Sequence, residues 1–193
     1  MESLPSTVYV AIGAFLAAAI TAAASLVSLI ASKEMKISEL RQCWIESLRN
    51  EISEYIGIAN RMSLTWMFLF PNAENHDEGI ARFLSDNLSE IERLDTLMHK
   101  VLLKLNPKEH QELIDAIKTV EKNIANPNFL RSNGGIAAQL DHVHDLSQAV
   151  LKKEWDRVKD GEGAFVKMKE IVSNIALISM MLLIVIVLGM VFF

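Results

Sequence analysis

The sequence predicts an all-α membrane protein, in which two transmembrane helices flank a cytoplasmic up-and-down helical bundle with a long stalk helix. Two uncharged stretches near the ends, helical periodicity between them and the lack of strand-like alternation lead to this fold class. All 19 Lys and Arg residues, and 23 of the 24 Asp and Glu residues, lie between Lys33 and Glu170. This partition argues against a soluble protein, a disordered chain and a nucleic-acid binder driven by bulk positive charge.

The two uncharged stretches have the length of membrane spans. Val8 to Ala31 comprises 24 residues, and Ile171 to Phe193 comprises 23, interrupted only by Asn174. At about 1.5 Å of rise per residue, either one crosses a hydrocarbon core of about 30 Å as a helix. We therefore assign 1–7 to a short extracytoplasmic tail, 8–32 to the first transmembrane helix, 33–170 to the cytoplasmic bundle and 171–193 to the second transmembrane helix.

Charges beside the spans predict the orientation. The start MESLPST is acidic and the apolar run exceeds that of a secretory signal, so we expect no cleavage. Basic residues that flank the spans stay in the cytoplasm. They are Lys33, Lys36 and Arg41 after the first span and Lys167 and Lys169 before the second. Both termini are therefore expected to be extracytoplasmic, with 33–170 in the cytoplasm.

Small and hydroxylated residues form a stripe on the first span. Thr21, Ser25, Ser28 and Ser32 follow one another at helical spacing, and Ala17 extends the same face. Small residues let helix backbones approach closely, which favours packing between helices and a homo-oligomer. A polar lining for a pore built from several copies is the alternative. Packing is favoured because hydroxyls also bond to carbonyls of their own helix.

Apolar periodicity predicts four helices in the cytoplasmic body. The stalk continues the first span without a proline as far as Pro71, and a second helix carries one apolar stripe from Ile80 to Leu105. That stripe consists of Ile80, Leu84, Leu88, Ile91, Leu94, Met98, Val101 and Leu105. The third helix is expected to start with Asn106 as cap and Pro107 at the first position, and to end at Pro127. A fourth runs from Ile136 until Gly161 and Gly163 break it.

Five aromatic residues are candidate anchors for packing or for a partner. Trp44 lies on the apolar stripe of the stalk and is expected to anchor it to the bundle. Trp66, Phe68 and Phe70 are expected to pack at the end of the bundle, with an exposed patch for a partner or the membrane surface as the alternative. Trp155 is expected to pack back onto the stalk.

Known catalytic fingerprints are missing from the sequence. It has no Gly-rich phosphate loop, no GxSxG elbow, no cysteine pair and no HExxH. His142 and His144 point about 200° apart on a helix, and Asp141 with Asp145 fits a solvated face better than a metal site. Cys43 is alone, as suits a reducing cytoplasm. We therefore expect no enzyme, no catalytic, cofactor or metal site, and no direct nucleic-acid binding.

Three strings carry a resemblance to a known group. QCWIESLRNEISEY, LKLNPKEHQELI and LKKEWDRVK are similar to segments of bacterial two-span membrane proteins with a cytoplasmic helical body. That group includes toxic effectors of anti-phage systems such as retrons. The resemblance implies an inner-membrane effector, restrained by a cytoplasmic protein or ribonucleoprotein and damaging the lipid bilayer when released or oligomerised. The alternative is a passive membrane anchor or scaffold that recruits a cytoplasmic complex through its helical face.

Overall fold

The computed structural model describes residues 6–69, 76–126, 129, 135–161, 165–175, 177–178 and 181. Five helices follow one another: α1 (Ser6–Leu69), α2 (His76–Asp86), α3 (Leu88–Lys104), α4 (Gln111–Ile124) and α5 (Gly135–Asp160). Residues 165–175, 177–178 and 181 are helical as well. These described ranges contain no strand, which confirms the all-α class.

Helix α1 is a single helix of 64 residues. The expected continuation of the first uncharged stretch into a stalk is confirmed for the residues up to Leu69. No proline lies between Ser6 and Leu69, so every peptide nitrogen in this range can donate a helical hydrogen bond. Phe70 lies outside the described residues.

The prediction of one helix from Ile80 to Leu105 is wrong at Asn87. This residue has φ −118° and ψ 16°, so α2 ends and α3 begins there. The side-chain amide of Asn87 donates to the carbonyl of Phe83 at 2.9 Å. Because the break shifts the helical phase, Leu84 and Leu88 are exposed and Phe83 is buried instead. The rest of the predicted stripe, from Leu94 onward, is buried as expected.

The predicted start of the third helix at Pro107 is also wrong, because α4 begins at Gln111. Asn106 initiates a separate turn. Its carbonyl accepts hydrogen bonds from the amides of Glu109 and His110, and its side-chain oxygen accepts one from the amide of Lys108 at 3.1 Å. An asparagine that bonds to the backbone two residues on favours such a turn as much as a helix cap.

The chain divides into two compact units, each considered by itself. Unit 1 comprises Met1–Arg41 and Arg157–Phe193, and unit 2 comprises Gln42–Asp156. Unit 2 is a helical bundle in which α1 through α5 contribute side chains to one core. The largest fully buried members include Trp66, Tyr55, Leu48, Leu113 and Ile117. A core of this kind supplies most of the stability of a small domain.

Three ion pairs join α1 to α3 within unit 2. Arg61 pairs with Glu90 at 2.6 Å, Arg93 with Glu54 at 2.5 Å, and Lys104 with Glu51 at 2.7 Å. The Lys104–Glu51 pair is the most sheltered, and its ammonium group also donates to the hydroxyl of Ser47 at 2.5 Å. Exposed pairs stabilise a protein by only about 0–1 kcal/mol, so the apolar core dominates and the pairs fix the helix register.

Unit 1 contains the first part of α1 and the helical residues after α5. Among the residues described, no helix has both the length and the apolar character needed to cross a membrane. Most of the predicted second span, Ile171 to Phe193, lies outside the described residues, as do the side chains at 8, 9, 12, 13, 16 and 19 within α1.

Gly161 ends α5, as the sequence predicted. Its φ is +81°, a left-handed conformation that glycine adopts without strain. A Cβ atom at this position would lie 3.2 Å from the Glu34 carboxylate and 3.4 Å from the Phe165 ring. Gly161 therefore allows the chain to turn closely against α1 within unit 1. Gly163 lies outside the described residues.

Candidate functional site

The first candidate site is an apolar surface on unit 1. Large apolar side chains are exposed along α1, among them Val10 at 72%, Phe15 at 75%, Ile20 at 66% and Leu29 at 67%. The helical residues after α5 show the same property, with Ile171, Ile175, Leu177, Ile178 and Met181 exposed. Leaving such a side chain in water costs about 1.5–3 kcal/mol relative to burying it. A surface of this composition is typical of a contact with lipid or protein.

The stripe from Ala17 to Ser32 lies on this exposed part of α1. Thr21 donates its hydroxyl proton to the carbonyl of Ala17 at 2.9 Å, and Ser25 donates to that of Thr21 at 2.9 Å. Ser32 donates to the carbonyl of Ser28 at 2.8 Å. These three hydroxyl groups are satisfied within their own helix, so they add little polarity to the surface. This geometry favours a packing face over a hydrophilic lining.

A groove separates α1 from residues 165–173 within unit 1. It has a volume of about 350 Å³. Each helix contributes one face at spacings of three and four: Val27, Ile30 and Ala31 from α1, and Phe165, Met168, Lys169, Val172 and Ser173 from the other helix. The lining of the groove is mostly apolar, and Lys169 is the charged residue among those that line it.

The structure separates the aromatic candidates. Trp44 is half-buried, donates its indole N–H to the carbonyl of Lys104 at 3.3 Å and lies 6.3 Å from the His110 ring between centroids. It therefore joins α1 to the end of α3, as an anchor should. Trp66 is 2% exposed and meets Phe83 edge to face at 5.1 Å, whereas Phe68 is 74% exposed. Core packing thus holds for Trp66 and is wrong for Phe68, which lies on another face of the helix.

Trp155 is 43% exposed and lines a groove between α1 and α5 in unit 2. The groove has a volume of about 830 Å³, and Cys43, Ile45 and Arg49 line it from the side of α1. The indole and these α1 side chains line the same groove, and the packing of Trp155 onto the stalk stays a prediction. Its remaining exposure makes it an accessible apolar side chain on the bundle surface.

A cluster of Glu109, His110 and Glu154, of which Glu109 is exposed, was missed in the sequence. Potential ligand atoms of the three side chains lie within 4.8 Å of one another, and both His110 and Glu154 are buried. Glu109 also pairs with Lys153 at 3.1 Å. The residues come from the turn before α4 and from α5, at a separation of about 44 positions, so no local spacing reveals them.

Hydrogen bonding defines the tautomer of His110. The amide of Asn106 donates to Nδ1 at 3.1 Å, so Nδ1 carries no proton and Nε2 holds the proton of the neutral ring. A histidine binds a metal ion through one ring nitrogen that offers a lone pair while the other nitrogen keeps its proton. Because Nδ1 accepts the amide hydrogen bond and Nε2 carries the proton, this arrangement offers no lone pair to an ion, and the cluster instead brings α5 and the turn before α4 together.

Tyr55 is a buried titratable group whose pKa is clearly perturbed. Its side chain is 2% exposed, and burial raises the pKa of its phenol well above the ordinary value of 10.0, with a further contribution from the negative charge of Glu121. Desolvation disfavours the phenolate, which explains the direction. Tyr55 packs among core side chains, so the shift reflects burial in the bundle.

Comparison with known proteins finds no matching family model, no similar curated protein and no similar solved structure.

Proposed function

We propose that the chain is a non-enzymatic effector of bacterial anti-phage defence that acts in the inner membrane. Residues 8–32 and 171–193 cross the lipid bilayer with both termini outside the cytoplasm, and residues 33–170 remain in the cytoplasm. A cytoplasmic protein or ribonucleoprotein restrains the chain through the bundle. Its release or oligomerisation then lets the membrane helices compromise the bilayer.

One observation carries the membrane part of the proposal: the large apolar side chains of unit 1 are exposed along a helix whose residues 8–31 carry no charge. Lipid covers such a surface at no cost in unpaired polar groups, because the helix satisfies its own backbone. The hydroxyl groups of Thr21, Ser25 and Ser32 donate within their own helix too. The defence role is supported by a resemblance to bacterial two-span membrane proteins that include anti-phage effectors. The strings that carry this resemblance are QCWIESLRNEISEY, LKLNPKEHQELI and LKKEWDRVK.

The proposed damage requires that several copies assemble through the small-residue stripe. A leucine at Ala17 or Ser25 prevents close approach of two helix backbones, because its branched side chain occupies the contact. Ser25→Ala keeps the side chain small and therefore preserves assembly. If the stripe lines a water-filled path instead, Ser25→Ala lowers conductance while assembly persists.

The function is tested by controlled expression in cells that carry a membrane-potential dye. Wild-type protein is expected to depolarise the cells once any restraining partner is removed. Ala17→Leu and Ser25→Leu should abolish both cross-linking between copies and depolarisation, while Ser25→Ala retains cross-linking. Unchanged growth and potential after removal of the partner would overturn the effector role.

Membrane association is tested separately by a pair of lysine substitutions. Ile20 lies near the middle of the uncharged run, whereas Leu103 is 88% exposed on α3 of the bundle. A lysine at the centre of a membrane helix costs about 2.5–3.5 kcal/mol, so Ile20→Lys should lower the equilibrium constant for insertion of this helix by about a hundredfold and reduce the membrane-bound fraction. Leu103→Lys should leave it unchanged. Equal fractionation of both variants would remove the bilayer from the proposal.

The groove at Trp155 favours a second function, a membrane scaffold that recruits a cytoplasmic complex. Its exposed indole and its volume of about 830 Å³ suit a protein partner. A scaffold leaves the membrane potential intact at every expression level. Under this alternative, Trp155→Ala releases the partner without any change in the potential, whereas an effector that loses its restraint becomes more toxic.

A further inference from the structure

We propose that the groove between α1 and residues 165–173 binds one acyl chain of an anionic phospholipid, with Lys169 contacting the phosphate. This inference rests on the proposed membrane location and adds a defined lipid partner. The groove belongs to unit 1 alone, and its volume is about 350 Å³.

The groove lies where charge disappears from both helices. Ala31 precedes Lys33, the first charged residue after the uncharged run, and Val172 follows Glu170, the last charged residue before the second run. Both helices therefore contribute apolar side chains and flanking charges at the same point. A bilayer has its boundary between hydrocarbon and headgroups at such a position.

Shape and chemistry match an amphiphile with a long apolar part. Ile30, Ala31, Met168 and Val172 are half-buried, so they line a concave surface and leave part of their area open to an occupant. Phe165 lines the groove as well and lies next to Gly161, where the chain turns closely against α1. An acyl chain fills such a surface with methylene groups, each of which gains from leaving water.

Charge favours an anionic headgroup over a zwitterionic one. The flanking segments 33–36 and 167–170 carry Lys33, Lys36, Lys167 and Lys169 against Glu34 and Glu170, a majority of basic residues. Lys169 itself lines the groove and is exposed, so its flexible stem can follow the apolar wall while the ammonium group reaches a phosphate. Basic residues at the cytoplasmic boundary attract anionic lipids in this way.

The test uses the full chain, purified in a neutral detergent and stripped of lipid. Dioleoylphosphatidylglycerol or dioleoylphosphatidylcholine is titrated in, and bound lipid is counted by native mass spectrometry. We expect one tightly bound phosphatidylglycerol. Lys169→Gln should weaken its binding about fivefold and weaken phosphatidylcholine binding less, because the choline ammonium already offsets the charge of the phosphate. Lys100→Gln, an exposed lysine of α3, is the matched control.

A second set of variants fills the groove. Ala31→Phe is expected to abolish the tightly bound lipid, whereas Ala24→Phe, on the same helix but outside the groove, is not. Val172→Trp fills the groove from the opposite helix. If circular dichroism shows that Ala31→Phe does not fold, the lipid binding of Val172→Trp is measured in its place. Wild-type binding by Lys169→Gln and by the folded groove-filling variants would overturn the inference.

Membrane fractionation distinguishes this outcome from failure of the proposed function. Ala31→Phe is expected to remain in the membrane fraction, because phenylalanine is as compatible with lipid as alanine. Loss of the bound lipid with retained membrane association therefore supports the groove. A wild-type chain that does not reach the membrane would contradict the proposed function and the inference together.

Discussion

Units 1 and 2 are both helical, yet they treat their large apolar side chains in opposite ways. In unit 2, Leu48, Leu113 and Val120 are at most 1% exposed. In unit 1, Ile20, Leu29 and Ile178 are more than 60% exposed. Each bundle helix has an apolar face and a charged face, whereas the helix formed by residues 8–31 has no charged face. The comparison teaches that apolar residues at helical periodicity predict a bundle with a polar surface toward water. A helix that is apolar on every face instead predicts a surface that lipid or protein must cover.

The largest expected difference is between Leu113→Ala and Leu29→Ala. Leu113 is 1% exposed in the bundle core, so its truncation should lower the free energy of unfolding by about 2–5 kcal/mol. Leu29 is 67% exposed in unit 1, and its truncation should leave the unfolding of the bundle nearly unchanged. Denaturant unfolding of the detergent-solubilised chain, followed by far-ultraviolet circular dichroism, measures both. Similar losses would break the distinction between the units.

Tyr55 sharpens the comparison through the pH dependence of stability. Because burial raises the pKa of its phenol in the folded chain, the unfolded chain loses this proton first, above the ordinary value of 10.0. The stabilisation is fully present below pH 10 and should fall by about 1.4 kcal/mol per pH unit above it. Tyr55→Phe should remove this slope, while Tyr9→Phe in unit 1 should not. Denaturant unfolding curves of both variants at pH 9 to 11 measure the slope of the free energy of unfolding against pH, and equal slopes would contradict the role of Tyr55.

Trp44 provides a smaller effect at the edge of the bundle. Trp44→Phe keeps most of the apolar surface and removes the hydrogen bond from the indole to the carbonyl of Lys104. We expect a loss of about 0.5–1.5 kcal/mol in the free energy of unfolding, the usual value for one hydrogen bond. Phe68→Leu, at a side chain that is 74% exposed, serves as the control and should cost less. A larger loss from Phe68→Leu than from Trp44→Phe would contradict the role of Trp44 as an anchor.

The smallest expected effects come from alanine substitutions at two glycines, which should change stability in opposite directions. Gly57 is helical, and a methyl group there meets nothing within 4 Å, so Gly57→Ala should stabilise the bundle by about 0.5–1 kcal/mol. Gly161→Ala should instead destabilise unit 1 by about 1 kcal/mol, because φ is +81° and the new Cβ crowds Glu34. Hydrogen exchange of amides near 57 and near 161 reads each region separately. The same sign at both positions would contradict the assigned conformations.

Sequence periodicity predicted the parts of the fold that depend on one helix at a time. The proline-free α1, the burial of the stripe from Leu94 and the end of α5 at Gly161 follow from local composition. The sequence did not predict the break at Asn87, because a single polar residue also fits inside a continuous helix. Whether the helix continues or breaks there depends on the tertiary packing of Phe83. Trp66 and Phe68 differ in burial although they are two residues apart, since two positions on a helix point in different directions.

The cluster of Glu109, His110 and Glu154 could be recognised only from the tertiary structure. Its members look like ordinary surface residues in the sequence, because each belongs to a charged segment. Only the packing of α5 against the turn before α4 buries His110 and Glu154 together. The groove in unit 1 escaped for the same reason, since its two walls are about 135 positions apart in the chain.

The most direct test of a lipid-covered unit 1 is cysteine labelling in isolated membranes. In a Cys43→Ser background, Ile20→Cys and Leu103→Cys are exposed to a water-soluble maleimide before and after detergent is added. Both side chains are open in the isolated chain, so any difference reports what covers unit 1. We predict rapid labelling of Leu103→Cys throughout, and labelling of Ile20→Cys only when the added detergent is denaturing, because a mild detergent covers the same apolar surface as the lipid. Equal labelling rates at the two positions in intact membranes would contradict the account.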